Sequence, residues 1–236
     1  MEEIHIQSFV AAPPADVWRV LVGRADVVLD ALPVAAWPDA REEKGVERLR
    51  TPWPVGRGAT GRGGGTAVEI TLAPVAAGTR VDLRHEGWDS GPETQDALAG
   101  HFAGWLQSLA ALGLLVETGR DPRASSAQLG GRERYFASGE IPARAAAVFR
   151  ALTDPEVLVR WSAGALEGAE LVDALEGRYA RWRTAAPDGG ASGEVVMILR
   201  PTPRGTHCAV AEYGVVGQSP SARWPAMLER LARFLR

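Results

Sequence analysis

The apolar positions of this chain follow two periods, and the order of these periods occurs twice. Ile4, Ile6 and Val10 alternate with polar residues, which predicts a first strand. Helical spacing over Pro14 to Val22 predicts a first helix, and a second short helix is expected over Asp26 to Leu32. Strands follow, and Glu93 to Val116 then has the apolar stripe of a long helix. The residues expected to face the sheet from that helix are Leu98, Phe102, Trp105, Leu109 and Leu112.

The second half has the same order in a more compact form. A strand is predicted over Arg134 to Glu140, and four more over 169–174, 178–184, 194–199 and 206–213, with a hairpin turn at 187–190. A closing helix is predicted from about Ser219 to Leu235. Between the first strand and the others, Asp154-Pro155 ends one helix and opens another, because the residue before a proline avoids the helical region and Asp is a good N-cap.

Three sequence matches in the same order indicate an internal repeat. Residues 17–21 (V-W-R-V-L) match 148–152 (V-F-R-A-L), and 72–74 with Gly78-Thr79 match 199–201 with Gly205-Thr206. Near the end of each half, Trp105, Leu109 and Leu112 match Trp224, Leu228 and Leu231 in type and spacing. The chain is therefore predicted to hold two copies of one domain, residues 1–118 and 132–236. The polar, aperiodic segment 119–131 is the expected linker.

The run Ala151 to Glu156 (A-L-T-D-P-E) followed by Trp161 resembles the signature that opens START-like (SRPBCC) helix-grip proteins, in particular the Hsp-90 ATPase activator-like branch. The resemblance implies an α+β fold for each copy. A curved antiparallel β-sheet wraps around a long C-terminal α-helix, and two short helices follow the first strand. It also implies an internal cavity for an apolar or amphipathic small molecule. Copy one departs from the motif, with G-R-A-D at 23–26.

Composition and charge narrow the classes of partner. The 236 residues are 46% hydrophobic and 23% charged with a net charge of −3, so nucleic acid is not an expected partner. Cys208 is the single cysteine, which excludes an intramolecular disulfide and fits a reducing compartment. The acidic N-terminus does not resemble a signal peptide, and the sequence predicts neither a membrane span, a metal site nor a cofactor. A cytoplasmic location is expected.

The repeat singles out one polar position in each copy. Alternation after the matched Gly-Thr turns predicts an inward strand face of Val81, Leu83, His85 and Gly87 in copy one, and of Cys208, Val210, Glu212 and Gly214 in copy two. His85 and Glu212 thus correspond, each on an otherwise apolar face. One interpretation is that each orients a bound molecule or acts as acid or base. The other is that each is solvated or paired with a neighbour.

Aromatic residues are the further ligand-binding candidates. Trp105 and Trp224 are expected in the core, and in a helix-grip fold they would also line the cavity, with Trp161 and Trp182 as further aromatic candidates. Trp37, Trp53 and Trp88 lie beside prolines or turns, as rim residues would. His101 is four residues before Trp105, so it can share a wall with His85, and such a pair would suit proton transfer. Gly56-x-Gly58-x-x-Gly61 lacks the strand–helix context of a dinucleotide site.

Three functions are compatible with these features. The first is a non-catalytic binding protein for a hydrophobic small molecule or lipid. The second is an aromatase/cyclase-type enzyme acting on a polyketide-like substrate, with His85, His101 and Glu212 as candidate catalytic residues. The third is a co-chaperone or regulatory protein with a protein partner.

Overall fold

A computed structural model of the chain describes residues 2–24, 41–43, 46–53, 65–89, 91–122, 134–164, 166–184, 193–214 and 223–236. The chain divides into two compact units, Met1–Asp121 (unit 1) and Pro122–Arg236 (unit 2). The helix expected over 26–32, the glycines at 56–61, the turn at 187–190 and Trp37 lie outside the described residues.

Unit 1 is an antiparallel sheet with one long helix against it. In chain order its elements are β1 (Glu2–Val10), α1 (Pro14–Gly23), β2 (Arg41–Glu43), β3 (Val46–Trp53), β4 (Thr66–Val75), β5 (Gly78–Trp88) and α2 (Pro92–Thr118). The strands pair in the order β1-β5-β4-β3-β2, so the last strand lies beside the first. Side chains of β4 and β5 alternate between buried and more exposed positions, as a sheet with one core face requires.

Unit 2 repeats this arrangement. Its elements are β6 (Arg134–Ile141), α3 (Ala145–Thr153), α4 (Pro155–Ser162), β7 (Glu170–Leu175), β8 (Tyr179–Thr184), β9 (Gly193–Thr202), β10 (Gly205–Tyr213) and α5 (Arg223–Phe234). The strand order β6-β10-β9-β8-β7 has the same connectivity as in unit 1. The α+β class with two helix-grip units, expected from the sequence, is confirmed.

The matched Gly-Thr turns have the same geometry in both units. Gly78 has φ +152° and Gly205 has φ +148°, and a Cβ on either would lie 2.2 Å from a backbone carbonyl oxygen of the first strand. The next residue donates its hydroxyl to the backbone at equivalent places, Thr79 to the Ala12 carbonyl at 2.6 Å and Thr206 to the Ala143 carbonyl at 2.7 Å. Glycine is required here because any side chain would meet the backbone of the first strand.

The long helix α2 is the core helix of unit 1. Its segment Ala97–Thr118 is long and apolar enough for a membrane span by length and composition. Trp105, Leu109 and Leu112 nevertheless lie in the apolar core with the side chains of β1, β4 and β5. The prediction for Phe102 was wrong, since this ring is 42% exposed. On a helical wheel it lies about 60° from Trp105, at the flank of the stripe.

The junction of α3 and α4 explains the A-L-T-D-P-E run. The Asp154 carboxylate caps α4 by accepting the backbone N–H of Glu156 at 3.0 Å and of Val157 at 3.4 Å. At the other end of α4, the Trp161 indole N–H donates to the Ala151 carbonyl at 2.7 Å. One carboxylate and one indole therefore fix the angle between the two short helices.

Candidate functional site

His85 lies in the middle of unit 1. It pairs across the sheet with Ile4 on β1 and Val68 on β4, and none of its surface is exposed. Alternation along β5 turns its side chain to the same face as Val81 and Leu83, as the sequence predicts. A polar ring in this position has to find its hydrogen-bond partners within the protein.

Both ring nitrogens of His85 have such partners. The Trp105 indole N–H donates to Nδ1 at 3.0 Å, so Nδ1 holds a lone pair. The Nε2–H therefore faces the Thr66 hydroxyl at 2.8 Å, and that hydroxyl donates in turn to the Trp53 carbonyl at 3.1 Å. This chain of bonds fixes one neutral tautomer of His85.

A proton added to Nδ1 of His85 would have no hydrogen-bond acceptor, because Nδ1–H would then face the indole N–H of Trp105. Burial is the main reason that the pKa of His85 falls from 6.5 to about 3, and the neighbouring His101 lowers it further. His85 is thus neutral at physiological pH. Of the two interpretations offered by the sequence, this geometry favours a paired histidine over an acid or base.

Four aromatic rings surround His85, and together with it they form the aromatic cluster of unit 1: Trp53, His85, Trp88, His101 and Trp105. Ring centroids are 4.6 Å apart for His85 and Trp88, 4.7 Å for Trp53 and Trp105, and 4.9 Å for Trp88 and His101. Tilted and edge-on contacts at these distances stabilise aromatic groups. His85, Trp88 and Trp105 are buried, whereas Trp53 and His101 are half-buried and are the more exposed members of the cluster.

Trp88 is not a rim residue, so that prediction was wrong. Its side chain has no exposed surface, and its indole N–H donates to the His85 carbonyl at 3.2 Å. Strict alternation would turn Trp88 away from the core, but Gly87 has φ +93° and breaks the alternation. Glycine adopts this conformation readily, and Trp88 consequently enters the core.

His101 differs from His85 in having one ring nitrogen without a hydrogen bond among the described residues. Its Nδ1–H donates to the Ala97 carbonyl one turn earlier, at 2.9 Å, which leaves the lone pair on Nε2. Burial lowers the pKa of His101, against the opposing effect of the Ala97 carbonyl, so the ring favours its neutral form. The two imidazole centroids are 5.5 Å apart.

Glu212 occupies the matching position in unit 2, and it is likewise paired. Its carboxylate accepts the Trp224 indole N–H at 2.5 Å and forms a short ion pair with Arg223. Trp105 and Trp224 correspond in sequence, so the same tryptophan of the closing helix donates to the same strand position in both units. Tyr135 lies opposite Glu212 on β6, and burial, together with the Glu212 charge, raises the pKa of its hydroxyl.

The remaining aromatic candidates of unit 2 belong to its core. Trp161, Trp182 and Trp224 are at most 3% exposed and pack in one apolar cluster. Cys208 shares that cluster, and complete burial raises the pKa of its thiol to about 12. No group of three or more His, Cys, Asp or Glu side chains in the described ranges is arranged to hold a metal ion.

Three participants in these two sites were missed from the sequence: Thr66, Tyr135 and Arg223. A signal existed for Thr66, because it stands two residues before Val68 on the same strand face, and Val68 pairs with His85. Tyr135 approaches Glu212 through the pairing of β6 with β10. Arg223 has no comparable signal, since its approach to Glu212 depends on how helix and sheet meet.

The sequence matches no protein-family model, and no curated protein matches it. Similar solved structures include DynU16 from the dynemicin biosynthetic locus (19% identity, all of both chains, TM-score 0.37). A second is the di-domain ARO/CYC BexL from the BE-7585A biosynthetic pathway (16%, 100% of this chain and 99% of that one, TM-score 0.33). A third is the Aha1 dimer from Colwellia psychrerythraea (15%, 44% and 96%, TM-score 0.37). These similarities are weak, so the function has to be inferred from this chain's own residues.

Proposed function

We propose that the chain binds a hydrophobic or amphipathic small molecule, and that the ligand lies against Trp53 and His101, the more exposed rings of the aromatic cluster of unit 1. The observation that carries this proposal is that two half-buried rings, Trp53 and His101, contact the buried rings of the same cluster. Aromatic walls with few polar anchors are typical of small-molecule sites.

His101 supplies the polar anchor of this site. Its Nε2 lone pair is available to accept a hydrogen bond, and its lowered pKa favours the neutral form that accepts one. The complementary ligand is therefore uncharged near the cluster and carries a hydroxyl or N–H group next to an apolar body. Unpaired Cys208 is compatible with the cytoplasmic location proposed for such a protein.

His85 has a supporting role in this proposal. Both of its nitrogens are bonded within the protein, so it orients Trp105 and Thr66 instead of meeting the ligand. Glu212 plays the same part in unit 2, where Arg223 and Trp224 occupy its carboxylate.

The second candidate function is an enzyme of the aromatase/cyclase kind, and the geometry of His101 is what favours it. A neutral imidazole held by its Nδ1–H to Ala97 presents Nε2 as a general base. If this function is correct, His101→Ala abolishes turnover of a polyketide-like substrate although the variant still folds.

Binding is tested first by native mass spectrometry of the purified protein and then by calorimetric titration with 2-naphthol, which combines an aromatic body with one hydroxyl donor. We expect Trp53→Ala to weaken 2-naphthol binding at least tenfold, since it removes a ring that forms the wall. His101→Phe keeps an aromatic ring but removes the acceptor, so it should weaken 2-naphthol and leave the affinity for 2-methoxynaphthalene unchanged, because that compound has no donor.

The matched control is His207→Ala, which removes another half-buried histidine with a lowered pKa, on β10 in unit 2. This variant should bind 2-naphthol as the wild type does. Equal affinity of wild type and Trp53→Ala for 2-naphthol would place the site elsewhere and overturn the proposal.

A further inference from the structure

Unit 2 has a surface groove of about 600 Å³ between the edge strand β6 and the closing helix α5. It is lined on one side by Ser138, Gly139 and Glu140, and on the other by one face of α5. This volume is within the range of small-molecule sites. The groove is separate from the aromatic cluster, which belongs entirely to unit 1.

The floor of the groove is apolar. Leu228 and Ala232 of α5 line it, and Gly139 opposite has no side chain to fill it. The nearest neighbours of a Cβ on Gly139 would all be side-chain atoms of Leu228, at 3.4 Å or more, so a side chain added here would meet the groove floor and no backbone atom. The corresponding residue of unit 1 is Ser8, which is buried at 7% exposure.

One end of the groove is cationic. Arg233 lies in the last turn of α5, and Arg236 lies two residues beyond its end. Both are exposed, and neither side chain has a hydrogen bond or ion pair with any residue the structure describes. Their guanidinium groups are suited to carboxylate or phosphate oxygens. Glu229 is one turn before Arg233, and Glu140 accepts a hydrogen bond from Thr202 at 3.1 Å. An acidic group is therefore favoured only at the arginine end.

The two units differ at the C-terminal end of the closing helix. In unit 1 the residue matching Arg236 is Glu117, whose carboxylate accepts the backbone N–H of Ala11 at 2.9 Å. The residue matching Ala11 in unit 2 is Pro142, which has no N–H to satisfy. The carboxylate is not needed there, and Arg233 likewise replaces Leu114, which is 2% exposed in unit 1.

We propose that this groove binds an amphipathic anion, with the apolar body on Leu228 and Ala232 and the acidic head between Arg233 and Arg236. A fatty carboxylate and a lipid phosphate share this chemistry. The groove would be a second ligand site, independent of the aromatic cluster.

The test compares octanoate with octylammonium, which have the same apolar body and opposite charge. Binding is followed on the full-length ¹⁵N-labelled protein by amide chemical shifts. We expect octanoate to shift signals of β6 and α5 and to bind more tightly than octylammonium. Arg233→Gln with Arg236→Gln should weaken octanoate about tenfold, since each exposed ion pair contributes about 0.2–1 kcal/mol, and should abolish the preference for the anion.

Gly139→Leu fills the groove and should prevent octanoate from shifting signals of β6 and α5, whereas Trp53→Ala should leave those shifts unchanged. Three results would overturn this proposal: octanoate still binds to Gly139→Leu, octanoate and octylammonium bind equally well, or octanoate shifts only signals of unit 1. None of these results affects the proposal for the aromatic cluster. Methyl octyl phosphate has the same apolar chain as octanoate and the same single negative charge. Tighter binding of octanoate in the groove favours a fatty carboxylate, and tighter binding of methyl octyl phosphate favours a phosphate head.

Discussion

The pairing of His85 makes a quantitative prediction about stability and pH. In the folded protein the pKa of His85 is about 3, against 6.5 for a free histidine. Above pH 6.5 neither the folded nor the unfolded chain binds a proton at this residue. As the pH falls below 6.5 the unfolded chain takes up the proton and the folded chain does not, so the free energy of unfolding decreases. Between pH 7 and pH 5 His85 alone should lower it by about 2 kcal/mol.

The informative variant is His85→Gln. The glutamine amide has an oxygen to accept the Trp105 N–H and an NH₂ group to donate to Thr66, but it does not titrate. Burial also lowers the pKa of His101 and of His207, so these residues likewise decrease the free energy of unfolding as the pH falls. The variant retains both of them. We therefore expect the loss of stability between pH 7 and pH 5 to be about 2 kcal/mol smaller in His85→Gln than in the wild type.

The assay is urea unfolding at the two pH values, with amide hydrogen exchange on β5 to assign the effect to unit 1. Ring proton shifts of His85 measured during a pH titration give an independent value. Two results would refute the reasoning: a His85 midpoint near 6.5, or the same pH dependence in wild type and variant. Either would mean that Nδ1 is free to take a proton and that the bond from Trp105 does not form.

Three further predictions concern the fold. Asp154→Ala removes the cap of α4 and should lower the free energy of unfolding of unit 2 by about 0.5–2 kcal/mol, measured by urea unfolding. Gly78→Ala and Gly205→Ala should both destabilise the protein severely, because either Cβ would lie 2.2 Å from a carbonyl oxygen. Gly23→Ala is the control, since its Cβ would have no atom within 4 Å, and it should not destabilise. Thermal unfolding compares the three variants, and a mild effect at both turns would contradict the matched geometry. Cys208 should react with iodoacetamide only after unfolding, because its thiol is buried with a pKa of about 12, and rapid alkylation of the native protein would contradict this.

Much of the fold could be predicted because alternation and the matched turns set both face and register. The equivalence of His85 and Glu212 followed from counting six residues beyond Thr79 and Thr206. The bond from a closing-helix tryptophan to each of them could not be predicted, because the distance between helix and strand depends on how the whole core packs.

Two local predictions failed for identifiable reasons. Trp88 turns into the core because Gly87 adopts a positive φ, and a sequence pattern of period two cannot anticipate that break. Phe102 has the spacing of a core residue but lies at the flank of its helical stripe, where small differences in helix rotation decide exposure. The tautomer of His85 depends on Trp105 of α2 and on Thr66 of β4, which the sequence pattern alone does not place against its two ring nitrogens.

The bond between the closing-helix tryptophan and the matched strand position also bears on how relatives of this chain can be found. In one unit the acceptor is an imidazole 20 residues before the tryptophan, and in the other it is a carboxylate 12 residues before it. What the two copies have in common is a donor meeting an acceptor, while the identity of the acceptor and its spacing have both drifted. Comparison by residue identity scores this position as a mismatch. A search that requires a Gly-Thr turn, any hydrogen-bond acceptor six residues after the threonine and a tryptophan in the next helix would recover both copies.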